Sequence, residues 1–265
     1  MIKFPIAIQL YSVRDDMEKD FAGTIRKMKE LGYDGVEFAG LFGKTAKEVK
    51  AICEEVGIVP LSAHVTFADM FKNPDLLKVY AEIGCKYVVI PHFSLDKEKI
   101  GELVDGAKML GQKAKSLGMK LCYHNHDFEF QKVNGEYLLD ILYREVPADL
   151  LEAEIDTCWV NVGGENPADY VRKYSGRTNI LHLKDFAGKK SDNMYALIGV
   201  DDDKQNESKD FEFRPVGYGV QDFDEILKAA EESGTKWVVV EQDEPSLHKS
   251  PIECAKLSIE YLKSL

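Results

Sequence analysis

The sequence predicts a (β/α)8 barrel, and three observations carry that prediction. Eight short apolar runs alternate with amphipathic, helix-like segments along the chain. That is the arithmetic of eight strand–helix units in about 250 residues. Helix-like segments also end repeatedly in glycine just before such a run, at Gly32, Gly57, Gly84, Gly118 and Gly234. A glycine there supplies the positive φ of a helix C-cap. Finally, the runs are apolar but nearly every one carries a polar or titratable residue at or beside its end, as in barrels whose catalytic groups come from several strand ends. An open doubly wound sheet usually carries a Gly-rich phosphate turn after its first strand. Here that place reads Tyr11-Ser12-Val13-Arg14-Asp15.

Taken in order, the strands are expected at residues 6–11, 35–39, 59–65, 87–91, 120–124, 151–156, 180–184 and 237–241. β-Branched and apolar residues dominate each run, and turn signals bound it. Helices are expected at 21–31, 46–56, 74–83, 97–117, 137–146, 167–174 and 223–233, with a last one at 251–262. One domain spans 1–265, interrupted by a long loop at 187–221 after the seventh strand. The Asp201-Asp202-Asp203 run in that loop reads as solvated. The loop's length also suggests a lid over the barrel mouth, and Phe211 and Phe213 alternate as in a small strand.

The bulk composition narrows the function classes. The formal net charge of −12 disfavours a nucleic-acid partner, because phosphate neutralisation needs a basic face. No apolar run approaches the roughly 20 residues of a membrane span, and the N-terminus lacks signal-peptide anatomy. The five cysteines are odd in number and scattered, which fits reduced thiols in a cytoplasmic protein.

The residues that carry chemistry sit at the strand ends. Around the barrel they are Gln9 and Tyr11, Glu37, His64, His92, the cluster His124, His126, Asp127 and Glu129, then Asp156, His182 with Lys184 and Asp185, and Glu241 with Asp243. Of six histidines, only His248 lies away from this set. Each residue has a bland alternative. Asp156 suits a helix N-cap, and His182 or His92 a satisfied core histidine. Lys184 suits either an ion pair or a substrate oxygen. Glu241 follows three valines and must be paired or ligated, because burying a lone carboxylate is costly. Carboxylates with an imidazole form a mixed O/N set suited to one divalent ion: Mn, Mg, Co or Zn.

With these residues in view, the chain resembles the xylose isomerase-like TIM-barrel superfamily over essentially its whole length. The carrying pieces are Asp156-Thr157-Cys158, His182-Leu183-Lys184-Asp185, Val216-Gly217-Tyr218-Gly219-Val220-Gln221-Asp222-Phe223 and Val240-Glu241. The resemblance implies a single-metal centre of Asp156, His182, Glu241 and one further glutamate. Where relatives place that glutamate in the fifth strand, this chain has Cys122-Tyr123-His124, so Glu129, or else His124 or His126, is expected to serve. It further implies a carbohydrate isomerase or epimerase working through a metal-stabilised enediolate. Glu241 is then the base, and Glu129, His124 or His126 returns the proton. His64, His92, Lys184 and Glu37 are expected to bind substrate, with Trp159, Tyr11, Phe38 and Phe93 against apolar sugar faces. A homo-oligomer is common among such barrels.

Elimination from a keto-sugar or cyclitol by a metal-dependent dehydratase or lyase is the alternative. An endonuclease IV-like nuclease is disfavoured, because Trp159 stands where those enzymes place a histidine and their Asp-x-His is missing. A non-catalytic sugar-binding barrel is the remaining reading.

Overall fold

The computed structural model describes residues 2–94, 97–190 and 211–265. Eight parallel strands close into a barrel in which every strand pairs with its neighbours in the barrel sequence. We number them β1 Ile6–Gln9, β2 Gly35–Ala39, β3 Val59–His64, β4 Tyr87–Ile90, β5 Lys120–His124, β6 Glu152–Asp156, β7 Ile180–Leu183 and β8 Trp237–Val240. All eight expected strands are present, several trimmed by a residue or two at an end. Closure comes from β1 pairing β8, with Ile6 opposite Val238 and Ile8 opposite Val240.

The expected C-caps form. Gly32, Gly57, Gly84 and Gly234 each hold the left-handed conformation at a helix end. The last helix, Pro251–Ser264, starts in a capping box between Ser250 and Glu253, which satisfies two otherwise orphaned donors. Three short helices were not expected: Arg14–Lys19, Phe67–Lys72 and Thr157–Val162. Each is only 6 residues long, too short to show a helical period in sequence.

Strand alternation sorts the side chains into two apolar layers and one polar one. The larger apolar cluster lies between strands and helices and includes Ile8, Val36, Phe38, Tyr123, Ile155, Leu181 and Val240. A smaller one plugs the barrel interior with Ala7, Leu61, Tyr87, Val89, Cys122, Ile180 and Val239. One inward step further along the strands come Gln9, Glu37, Glu154 and His182, all fully buried. The barrel is therefore apolar at its base and polar toward the C-terminal ends. Register fixes who meets whom there: His124 lies opposite Glu154 and Asp156 opposite His182.

After β7 the chain forms an antiparallel ribbon, Asp185–Gly188 with Phe211–Arg214. Phe211 and Phe213 are thus in the small strand their alternation suggests. Residues 191–210, which include the Asp201-Asp202-Asp203 run and most of the expected lid, lie outside the described residues. Phe186, Phe211 and Phe213 pack with Cys158, Trp159 and Val162 into a separate buried cluster.

The return from this ribbon is held by one carboxylate. Asp185 accepts hydrogen bonds from the backbone N–H groups of Phe186 (2.9 Å), Gly217 (3.0 Å), Gly219 (2.8 Å) and Gln221 (3.2 Å). A Cβ on Gly219 would lie 2.2 Å from the Phe186 carbonyl oxygen and 2.3 Å from Asp185 Oδ1, so only glycine fits that close approach. The expected result for Asp185→Ala is a loss of about 2 kcal/mol or more, because one buried and three part-buried backbone donors lose their acceptor together. Urea unfolding measures it.

Candidate metal centre and active site

The site is built from the last residue or two of β3, β5, β6 and β7 and the first residues after β8. Asp156 does two jobs with two oxygens. Its Oδ1 caps the helix Thr157–Val162 by accepting from Cys158 N (2.8 Å) and Trp159 N (3.1 Å). Its Oδ2 is buried and accepts no hydrogen bond, although Lys184 Nζ stands 3.3 Å away. The N-cap alternative holds through Oδ1, and Oδ2 is left out of the cap. Asn125 braces this residue: its Oδ1 accepts from Asp156 N at 3.0 Å.

His124, Asp156, His182 and Glu241 each offer a ligand atom, and the four atoms all lie within 4.8 Å of one another. His182 Nδ1 is 3.0 Å from Glu241 Oε2. His124 Nε2 is 3.6 Å from Asp156 Oδ2 and 4.0 Å from Glu241 Oε2. Two imidazoles and two carboxylates, with an orphaned buried carboxylate oxygen among them, fit a divalent ion of the zinc or manganese type.

Glu129, expected as the further ligand and as a catalytic group, is not in this cluster. The 3-10 turn Phe128–Phe130 folds it back onto the outer face of β5. There its carboxylate accepts from Tyr123 Oη (2.7 Å) and His126 N (2.9 Å). His124 occupies the place expected for it. Burial lifts the Glu129 carboxyl to about 8, against those two hydrogen bonds. A carboxyl raised in the folded state binds its proton more tightly there than when unfolded. The stability this provides is complete below the ordinary value of 4.5 and is lost as pH rises to about 8. The stability difference between wild type and Glu129→Gln should therefore fall across that window, at up to about 1.4 kcal/mol per pH unit. Denaturant midpoints between pH 5 and 9 check this.

Lys184 is buried among carboxylates: Nζ lies 2.9 Å from Glu241 Oε2 and 2.9 Å from Asp243 Oδ2. Burial would lower its pKa, but Asp243, Glu241 and Asp156 raise it well above the usual lysine value. Burial likewise would raise Glu241, yet Lys184 and His182 hold it below the usual carboxylate range. Asp243 is lifted by burial to about 7, despite Lys184.

Below these groups lies a second polar tier. Glu37 accepts from Gln9 Nε2 (2.8 Å) and Ser62 Oγ (2.6 Å). Glu37 Oε1 and Glu154 Oε1 both stand 2.9–3.0 Å from His64 Nε2 and His182 Nε2. Burial lowers the His64 imidazole, but Glu37 and Glu154 outweigh it and lift it to about 10. Glu154 was not among the expected site residues. The signal was there: Asp156 faces inward, so the residue two before it must do so too.

A cavity of about 520 Å³ opens above the cluster. Tyr11, His64, His92, His126, Lys184 and Asp243 are among its lining residues. His126 Nδ1 is buried without a hydrogen-bond partner, and its ring stacks on Phe128 at 5.3 Å. Four expected substrate contacts do not reach this cavity. Glu37 lies under its floor, Phe38 faces the helices, and Trp159 is buried beneath the ribbon, 5.9 Å from the Phe213 ring. Phe93 instead lines a neighbouring groove with Phe67 and Phe71. No helix among the described residues is long and apolar enough to cross a membrane.

The comparisons bear on both fold and chemistry. An inosose dehydratase from Lacticaseibacillus casei (strain BL23) is 26% identical, over 99% of this chain and 97% of its own. Among solved structures, a sugar phosphate isomerase/epimerase from Parabacteroides distasonis superposes with a TM-score of 0.80 at 20% identity, covering 98% of this chain and 93% of its own. A probable 3-DHS dehydratase from Bacillus anthracis superposes with a TM-score of 0.74 at 12% identity, covering 98% and 99%. At such identities the two structures speak for the fold alone. The expected isomerase or epimerase activity is corrected by the relatives matched in sequence, which are named for dehydration. The model of the xylose isomerase-like TIM barrel matches residues 25–265, and the chain belongs to that family.

Proposed function

We propose that this protein is a divalent-metal-dependent dehydratase that removes water from a keto-cyclitol or keto-sugar. The observation that carries the proposal is the convergence of His124, Asp156, His182 and Glu241, of which His124 and Glu241 line the cavity, in a chain whose full-length relatives are named inosose dehydratase. A divalent ion held by those four residues would supply Lewis-acid polarisation of a substrate carbonyl. His126, which lines the cavity, takes the proton from the carbon beside that carbonyl in this reading. Its burial, together with Lys184, keeps the imidazole neutral and able to accept. Asp243, paired with Lys184, is placed to give a proton to the departing β-hydroxyl. The C–H electron pair becomes the new C=C bond, the C–O bond breaks, and water leaves. No oxidant or reductant is needed.

His64 and His92 line the same cavity and offer ring nitrogens to substrate hydroxyls. The wall formed by Val65, Leu76, Tyr80 and Pro91 suits the apolar face of a ring. All five cysteines are free and buried, which supports a reducing, cytoplasmic setting.

The test is turnover of a panel of keto-cyclitols and keto-sugars by protein loaded with Mn, Co, Zn or Mg, followed by the ultraviolet absorbance of the conjugated product. Absorbance should appear with metal and vanish with chelator. His126→Gln should lower kcat by about 100-fold or more, the usual worth of a positioned general base. No water loss across the panel with metal bound would overturn the proposal.

A further inference from the structure

Two groups of potential metal ligands share the same two imidazoles. The upper one is His124, Asp156, His182 and Glu241; the lower one is His64, His124, Glu154 and His182. The sharing is by opposite ring nitrogens. His182 presents Nδ1 to Glu241 (3.0 Å) and Nε2 to Glu154 (3.0 Å) and Glu37 (2.9 Å). His124 presents Nε2 to Asp156 and Glu241, and Nδ1 to Glu154 (3.2 Å).

A neutral imidazole carries one N–H and one lone pair. If its upper nitrogen ligates an ion, its lower nitrogen carries the hydrogen and donates. The two groups therefore cannot both hold an ion through neutral rings. Both groups border the cavity, the upper through His124 and Glu241 and the lower through His64 and His124; in the lower group Glu154 Oε1 already stands at hydrogen-bond distance from all three imidazoles, whereas the upper one includes the Asp156 Oδ2 that accepts no hydrogen bond. One atom, Glu154 Oε1, stands within 3.2 Å of a nitrogen of His64, His124 and His182 alike.

We propose that Glu154 is a positioning residue for the metal centre. Its Oε1 takes the N–H of His124 Nδ1 and of His182 Nε2, and so aims the lone pairs of His124 Nε2 and His182 Nδ1 at the ion. Glu37 supports the same hydrogen on His182. This inference rests on the metal reading above, and the two can fail separately.

The experiment compares wild type with Glu154→Gln and Glu154→Asp. Co²⁺ or Mn²⁺ affinity is measured by chelator competition, the visible spectrum of the Co²⁺ form is recorded, and ¹⁵N-histidine NMR reports ring tautomers. The expected result is a 10–100-fold weaker affinity in Glu154→Gln, the range that partners of ligating histidines command. The Co²⁺ spectrum should change, and Glu154→Asp should recover part of the affinity. In wild type with Zn²⁺ bound, His124 should show its hydrogen on Nδ1 and His182 on Nε2; this reading stands even if a variant fails to fold. Wild type that binds no ion would defeat the metal reading itself. Wild type that binds while Glu154→Gln binds equally well, or rings bearing the opposite tautomers, would overturn the positioning role. So would two ions per chain with one lost in His64→Ala, because the lower group would then be a cation site of its own.

Discussion

Asp156→Asn should keep the fold and lose the metal. The amide oxygen can still accept from Cys158 N and Trp159 N, so the cap of the helix Thr157–Val162 survives. What disappears is the buried Oδ2 that accepts no hydrogen bond, replaced by an amide nitrogen that cannot ligate. Affinity for Mn²⁺ or Zn²⁺ should fall by more than about 100-fold, beyond the range that outer partners of a ligand command. The unfolding midpoint of the metal-free protein should barely move. Asp156→Ala removes the cap as well and should cost about a further 1 kcal/mol. Chelator competition and urea unfolding on both variants separate the two roles. An Asn variant with wild-type affinity would remove Asp156 from the ligand set.

Lys184→Met should be the most destabilising single change at the site. The ammonium is the near cation for Glu241, Asp243 and Asp156, at 2.9, 2.9 and 3.3 Å. Removing it leaves three buried carboxylates facing one another, and breaking a buried ion network costs about 3–5 kcal/mol. The methionine fills much of the same volume, so the loss is electrostatic rather than a cavity. A divalent ion at His124, Asp156, His182 and Glu241 would restore positive charge beside the same oxygens. Unfolding of Lys184→Met with chelator should show the full loss, and saturating Mn²⁺ should return part of it. Loss without any recovery would mean that the ion does not share those oxygens with the lysine.

Much of this was legible in the sequence because it depends on local rules. A glycine at a helix end and a β-branched run after it are short-range signals, so Gly32, Gly57, Gly84 and Gly234 mark the returns and the strands follow. Alternation brought Asp156, His182 and Glu241 to one mouth without any knowledge of distances. Glu129 went astray for a different reason. Its fate turns on the three-residue turn Phe128–Phe130 and on Tyr123, which points away from the mouth and offers its hydroxyl there. Neither is periodic. Trp159 looked like a sugar platform because its cover, Phe186, Phe211 and Phe213, comes from a ribbon distant in sequence. Glu154 and Asn125 act by hydrogen-bonding the very residues that carry the chemistry. A reading that looks for ligand types at strand ends passes over groups that only hold them.

The central claim is that this site removes water, and the mass of the product tests it most directly. Metal-loaded wild type is incubated with a keto-cyclitol, and substrate and product are resolved by mass spectrometry beside a chelated sample and Asp156→Asn. The account predicts a product lighter by one water, formed only by the metal-loaded wild type. A product of unchanged mass, or unconverted substrate with the ion demonstrably bound, would contradict it.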